Sequence, residues 1–268
     1  YAVLGLLAMF VISTFDYHRF HQLALPIFGI SVFFLALIPI FRAVGLSQLV
    51  PNQGDAYRWL QLGPLNFQPS EIAKFALIVM FAHLISRYSD KMDSFRYGVL
   101  PFALLLALVG GLIIIENHLS ATLIILMLGA ILMFVGGTKL RWFLIGGALL
   151  VALLAVMLLT RENYQIGRIL GWLDPFNPPE GVDTWQTRQS LYAIGSGGLL
   201  GVGLGQSRQK YLWLPEPQND FIFAIVCEEL GFVGALVIII LFAMLIWRGL
   251  YVSVHAKDRF GMLLGVGI

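Results

Sequence analysis

Long apolar runs broken by short polar clusters dominate the chain. A bilayer core about 30 Å thick needs roughly 20 apolar residues in helix. The gaps between charges mark out segments of about that size. They run from Tyr1 to Thr14, Leu23 to Phe41, Glu71 to Ser86, Gly98 to Ile115, Leu119 to Gly137, Trp142 to Thr160 and Phe221 to Trp247, and another begins after Phe260. The pattern predicts an all-α polytopic membrane protein with about eight spans, because a helix satisfies its own backbone in lipid. Only Glu116, Asn117 and His118 separate the fourth and fifth runs, which predicts a tight hairpin at a membrane face.

Residues 161–220 break the pattern. This stretch holds many of the charges, the runs Asp174-Pro175-Phe176-Asn177-Pro178-Pro179 and Leu214-Pro215-Glu216-Pro217, and the aromatics Tyr164, Trp172, Phe176, Trp185, Tyr192, Tyr211 and Trp213. That aromatic content argues against disorder, and aromatics favour the membrane–water boundary. The segment reads as a folded cap on one membrane face, within a single membrane domain covering 1–268. Its glycine-rich middle, Ser190 to Gly205, predicts a short helix or a re-entrant piece.

Lys and Arg in short loops set orientation. One set of alternate loops holds Arg19, Arg87, Lys91, Arg96, Lys139, Arg141, Arg248, Lys257 and Arg259; the opposite short loops hold only Arg42 and Arg58. The first set is expected in the cytoplasm and the long cap outside. Composition adds to this picture. The 268 residues are 59% hydrophobic and 12% charged, with a net charge of +2. Soluble domains average about 25% charged, so an ordinary globule is excluded, and no charge field invites nucleic acid. The single cysteine, Cys227, rules out an internal disulfide. No HExxH, GxSxG or GxxxxGK[ST] motif occurs. The chain opens on Tyr1 directly in an apolar run and reads as trimmed at both ends.

A few polar residues in or beside spans call for chemistry. Glu71 and Lys74 share a helix face, three residues apart. Pro69 suits the first helical position, and an ionisable pair in a span marks a site or an interfacial anchor. A lysine near an outer cavity suits a phosphate. Asp220 follows Leu214-Pro215-Glu216-Pro217 and precedes an apolar helix expected to start near Asn219. It reads as an N-cap, or as a general base at the rim of the membrane, with Glu216 placed to hold it or to share a cation. Glu228 and Glu229 lie inside the seventh span and read equally as a pair held by a structural partner, such as an arginine of another span, or as catalytic groups. The glycines from Gly195 to Gly205, followed by Arg208 and Lys210, read equally as a phosphate cradle or as close helix contacts. Arg58, beside Trp59, reads as an interfacial anchor or a ligand.

Together these runs resemble the SEDS family of FtsW, RodA and SpoVE. The resemblance rests on Tyr57-Arg58-Trp59, on Gln68 through Lys74, on Gln189-Ser190-Leu191-Tyr192 through Gly198, on Gly203 through Lys210, and on Leu214 through Asp220 to Glu228-Glu229-Leu230-Gly231. It implies a ten-span bundle of which about eight are covered, the first and last being absent. It also implies a large extracellular loop between the sixth and seventh spans seen here. The implied activity is a peptidoglycan glycosyltransferase that polymerises lipid II at the outer face of the cytoplasmic membrane, in division, sporulation or elongation. The family's essential aspartate falls on Asp220, and its embedded pair on Glu71 and Lys74. Asn117-His118 stands where many members have Pro-Asp, which resembles the FtsW and SpoVE branch of Gram-positive bacteria.

On this reading Asp220 is the base. Lys74, Arg58, Arg208 and Lys210 face the pyrophosphate, and Gln189 and Ser190 contact substrate. A divalent cation (Mg or Mn) is held by carboxylates such as Glu216, and no organic cofactor is expected. The implied partner is a class B penicillin-binding protein, with other division or elongation machinery. Two competing readings are a lipid II flippase and a non-catalytic scaffold for a transpeptidase.

Overall fold

A computed structural model describes residues 2–46, 48–51, 57–63, 65–160, 170–211, 213–214 and 220–268. Its backbone follows the hydrophobic pattern. The helices are α1 (Ala2–Ser13), α2 (His18–Val44), α3 (Pro69–Arg87), the short α4 (Phe95–Gly98), α5 (Leu100–Ile115), α6 (Leu119–Val135), α7 (Leu140–Thr160), α8 (Trp185–Gly197), α9 (Ile222–Val254) and α10 (Arg259–Gly267). Four described helices are long and apolar enough to cross a membrane: His18–Val44, Pro69–Arg87, Phe95–Ile115 and Ile222–Val254. Shorter apolar helices occupy Val3–Ser13, Leu119–Val135 and Leu140–Leu149. A two-stranded antiparallel hairpin, β1 (Leu60–Leu62) and β2 (Leu65–Phe67), pairs Leu60 with Phe67.

The chain divides into two compact units, residues 1–145 with 249–268, and residues 146–248. In the first, α3 is the buried element. Ala73, Leu77, Phe81, Ala82 and Ile85 are inaccessible, and α2, α5, α6 and α10 pack around them. Small residues permit this closeness: a Cβ on Gly129 of α6 would strike Leu106 and Phe81, and one on Gly136 would strike Ile85. Pro69 occupies the first turn of α3, as its missing N–H favours. The β-hairpin covers the end of α2 through Ile38, Val50 and Leu60. The expected tight hairpin is present between α5 and α6, closed by Asn117 at φ 58°, a left-handed conformation that asparagine tolerates.

The second unit holds α8 and the first part of α9. Ala193 of α8 packs with Leu214, Phe221, Ala224 and Ile225. The expected short helix in the cap is α8, but it starts at Trp185 and ends at Gly197, earlier than the glycine-rich run suggested. α9 is interrupted at Gly231, whose φ of 66° is non-helical. The chain at 198–203 pairs with this break like a short strand. Val202 and Gly203 donate to the carbonyls of Glu228 and Glu229, and Phe232 and Val233 donate to those of Gly198 and Leu199. A Cβ on Gly201 would sit 2.1 Å from the Glu229 carbonyl oxygen, and one on Gly197 1.9 Å from that of Cys227. Gly231→Ala combines a forbidden conformation with a backbone clash 2.3 Å from Gly201 N. It is expected to cost about 2–3 kcal/mol or more, seen as a lowered Tm for the purified protein in lipid nanodiscs.

Candidate functional site

In the first unit, a polar cluster forms where α3 begins and the α5–α6 hairpin turns. Glu71 and Lys74 pair at 2.7 Å, with Lys74 three-quarters buried and Glu71 exposed. Gln68, just before α3, donates from Nε2 to Ser70 Oγ at 3.0 Å and lies 3.1 Å from His118 Nδ1. That contact assigns the imidazole proton to Nε2. Arg58 reaches the Asn117 carbonyl at 3.5 Å, and the Tyr57 N–H donates to the Glu116 carbonyl. Arg42 lies over the Tyr57 ring at 4.5 Å. Burial, and then the positive charge of Arg58, hold the His118 pKa below its ordinary value; Glu71 opposes this and Lys74 adds to it. The imidazole is therefore neutral and stands among the two cations that the sequence assigned to phosphate.

Glu116 escaped notice as a functional residue in the sequence. Its carboxyl is 1% exposed, and neither oxygen finds a hydrogen bond among the described residues. Burial alone pushes its pKa up to about 8, so it is protonated at neutral pH. The signal for it was a lone acid flanked by two apolar runs with nothing basic adjacent.

In the second unit, Glu228 and Glu229 take their partners from the loop after the glycines. Glu228 accepts from Ser207 Oγ and from the N–H groups of Arg208 and Gln209. Glu229 accepts from the N–H groups of Gly205 and Ser207 and from Lys210 Nζ at 2.7 Å. The expected arginine from another span is thus replaced by backbone amides and Lys210. The glycines likewise serve close backbone contact rather than a phosphate cradle. Lys210 is committed to Glu229, which raises its pKa above the ordinary lysine value. Arg208 is exposed and has no ion pair among the described residues.

Asp220 is exposed, two residues ahead of α9, which starts at Ile222 rather than near Asn219. Among the described residues its side chain caps no helix and meets no cation. It is also open to solvent rather than desolvated at a rim. Its neighbour Phe221 packs on the small core formed by Ala193 and Leu214. Gln189 and Ser190 face inward on α8, both buried, with Ser190 Oγ donating to the Thr187 carbonyl. Glu216 lies outside the described residues. Among the described residues, no group of three or more His, Cys, Asp or Glu is placed to hold a metal ion.

Fold and polar residues together define a multi-pass helical membrane protein with charged side chains concentrated at helix ends and in a loop-rich segment. The family model for the cell cycle proteins FtsW, RodA and SpoVE matches residues 1–268, and the chain belongs to that family, the SEDS proteins. It is 36% identical over its whole length to a probable peptidoglycan glycosyltransferase FtsW of Geobacter sp. strain M18, covering 71% of that protein. It is equally 36% identical to the stage V sporulation protein E of Bacillus subtilis, with the same coverage. Among solved structures it resembles a chain of a peptidoglycan synthase complex, studied for the coordination of polymerization and crosslinking. The TM-score there is 0.77 at 26% identity, over 99% of this chain and 71% of that one. It also resembles Thermus thermophilus RodA, with TM-score 0.63 at 25% identity, over 98% of this chain and 67% of that one.

The buried acid makes a pH prediction. Glu116 binds its proton up to about pH 8 when folded, against an ordinary value of 4.5. Its burial therefore carries no ionisation cost below the ordinary value, and stability falls progressively as pH rises from there towards 8. Glu116→Gln is expected to raise Tm at pH 8, by a ΔΔG of about 1–3 kcal/mol, and to leave it unchanged at pH 4.5. Thermal melts of both proteins across that range are the check.

Proposed function

We propose that this chain is a peptidoglycan glycosyltransferase that polymerises lipid II at the outer face of the cytoplasmic membrane. The full-length likeness to relatives named peptidoglycan glycosyltransferase FtsW supports the activity. The excess of Lys and Arg in alternate short loops supports an extracellular position for the 161–220 segment. The acceptor alcohol of lipid II is a weak nucleophile, and a positioned base contributes typically about 10²–10⁴-fold. Asp220 is the base in this reading, and the observation that carries it is its exposure without a described partner. A carboxylate already spent on a cap or an ion pair would be poorly available to take a proton.

Bond formation breaks the link between the anomeric carbon of the donor glycan and its undecaprenyl pyrophosphate. Direct attack inverts that carbon, and the proton passes from the acceptor hydroxyl to Asp220. Negative charge grows on the departing pyrophosphate, so preorganised cations accelerate the step. In the unit that holds Asp220, the exposed Arg208 supplies that charge. Lys210 contributes less, because Glu229 already neutralises it. A divalent cation (Mg or Mn), if held by carboxylates such as Glu216, would add positive charge beside the pyrophosphate. A single-span class B penicillin-binding protein is the proposed partner for crosslinking, in keeping with the synthase complex that this fold matches.

The test is glycan polymerisation from purified lipid II, with the cognate transpeptidase present. Asp220→Asn keeps the size of the side chain and removes the base. It is expected to lower strand formation by at least about 10²-fold while leaving expression, melting and complex formation unchanged. Equal strand formation by both proteins would remove Asp220 from the chemistry. Loss of transbilayer movement of labelled lipid II, with polymerisation intact, would favour the flippase reading. A wild-type complex that makes no strands would favour the scaffold.

A further inference from the structure

Two pairs of exposed aromatic rings line one face of α8, and they lie in the same compact unit as Asp220. Trp185 and Trp213 stack with ring centroids 6.4 Å apart, inclined by 29°. The Trp185 indole N–H donates to the Trp213 carbonyl at 3.0 Å, which fixes the ring. Tyr192 and Phe176 form the second pair, 5.8 Å apart. All four side chains keep between 41% and 56% of their surface exposed. Trp185 and Tyr192 are seven residues apart, so they lie on one helix face about 10.5 Å apart along the axis. Arg188 sits between them on that face, and its buried Nε has no hydrogen-bond partner among the described residues.

The exposed aliphatic side chains of this helix lie elsewhere. Leu191 and Ile194, both exposed, project from the side away from the aromatic face. An indole in an interfacial belt uses its N–H towards headgroups, whereas that of Trp185 is closed on a backbone carbonyl. The aromatic face therefore offers flat apolar surfaces, a fixed spacing and one cation. Pyranose rings present apolar C–H faces that stack on aromatic rings, and the spacing of the two pairs is comparable to the length of a β-1,4-linked disaccharide. Arg188 suits the carboxylates of a muramyl peptide.

We infer that the Trp185–Trp213 and Phe176–Tyr192 pairs form a glycan-binding subsite that holds the sugar backbone of the strand beside Asp220. The inference rests on the glycosyltransferase reading for its ligand. Its anchorage is local. Leu214, next to Trp213, and Phe221, next to Asp220, are packed in one small core with Ala193 of α8. The stacked rings and the proposed base thus adjoin the same small packed core.

The experiment is isothermal titration of the intact protein in lipid nanodiscs with chitotetraose, an uncharged β-1,4-linked GlcNAc oligomer. Wild type is expected to bind saturably. Trp185→Leu and Trp213→Leu are each expected to weaken binding about tenfold. Trp185→Phe, which keeps a ring, is expected to stay within about threefold and to show that the fold survives. No saturable binding by wild type, or equal binding by the leucine variants, overturns the subsite. Quenching of both indoles by lipids brominated along the acyl chains also overturns it, in favour of a membrane anchor. Polymerisation of lipid II by wild type is measured in parallel. Ring-dependent binding without polymerisation would fail the glycosyltransferase reading and leave the glycan subsite standing.

Discussion

A carboxylate enclosed in an apolar bundle has no water to accept from, so it must find donors in the protein or keep its proton. That constraint organises the second unit. Glu228 and Glu229 are adjacent within one helix, and two carboxyl groups there require several donors. The chain supplies them by bringing back the loop at 205–210, whose amide N–H groups, Ser207 hydroxyl and Lys210 ammonium all point at the two acids. For the loop to come so close, side chains had to be absent where it meets α9. Gly197, Gly201 and Gly231 are where they are absent. The break in the helix at Gly231 and the strand-like pairing across it follow from the same approach. The acids, the glycines and the lysine are therefore one structural device, although they look like separate motifs along the chain.

Much of this architecture was legible beforehand because a membrane span is read from length and hydrophobicity alone. The starts of α3 at Pro69 and α6 at Leu119 were explicit, since proline and a three-residue polar gap mark them directly. What pairs with what was harder to read. An arginine from another span seemed the natural partner of Glu228 and Glu229, but backbone amides leave no mark in a sequence. Whether a glycine-rich run cradles a ligand or another backbone is decided by what faces it, which is a tertiary fact. The inward turn of Gln189 and Ser190 was hidden for a similar reason: α8 begins at Trp185, and that start sets which face is buried. Glu116 was passed over because a hairpin acid is ordinarily solvated, and only the fold shows that the Glu116 carboxyl is enclosed.

The cations sort themselves by the same accounting. Lys210 is held by Glu229 and belongs to the structure of the loop. Lys74 has Glu71 beside it but shares its surroundings with a neutral imidazole and with Arg58, so this cluster carries positive charge that one exposed carboxylate only partly offsets. A neutral His118 matters here. Protonation would add a third positive charge beside Arg58 and Lys74, and burial already opposes it. The cluster can thus attract an anionic group without depending on the titration of its histidine near neutral pH. At the hairpin turn this chain places a half-buried imidazole that is hydrogen-bonded to Gln68.

The acids can be separated in the same way, and this bears on which of them is able to accept a proton from an alcohol. Glu228 and Glu229 are bound by several donors each, so protonating either would break hydrogen bonds that hold the loop. Glu116 already carries its proton and is shut away from solvent. Glu71 is engaged with Lys74 at the start of α3. Asp220 differs from all four. It is exposed, it is free of partners among the described residues, and Phe221 beside it is fixed in a packed core. A base needs an available lone pair and a defined position at once. Of these five carboxyl groups, only Asp220 joins an open side chain to an anchored backbone. Leu214, next to Trp213, packs in the same small core as Phe221 and Ala193 of α8, so a sugar lying on the stacked rings of Trp185 and Trp213 would share a packed support with that carboxylate.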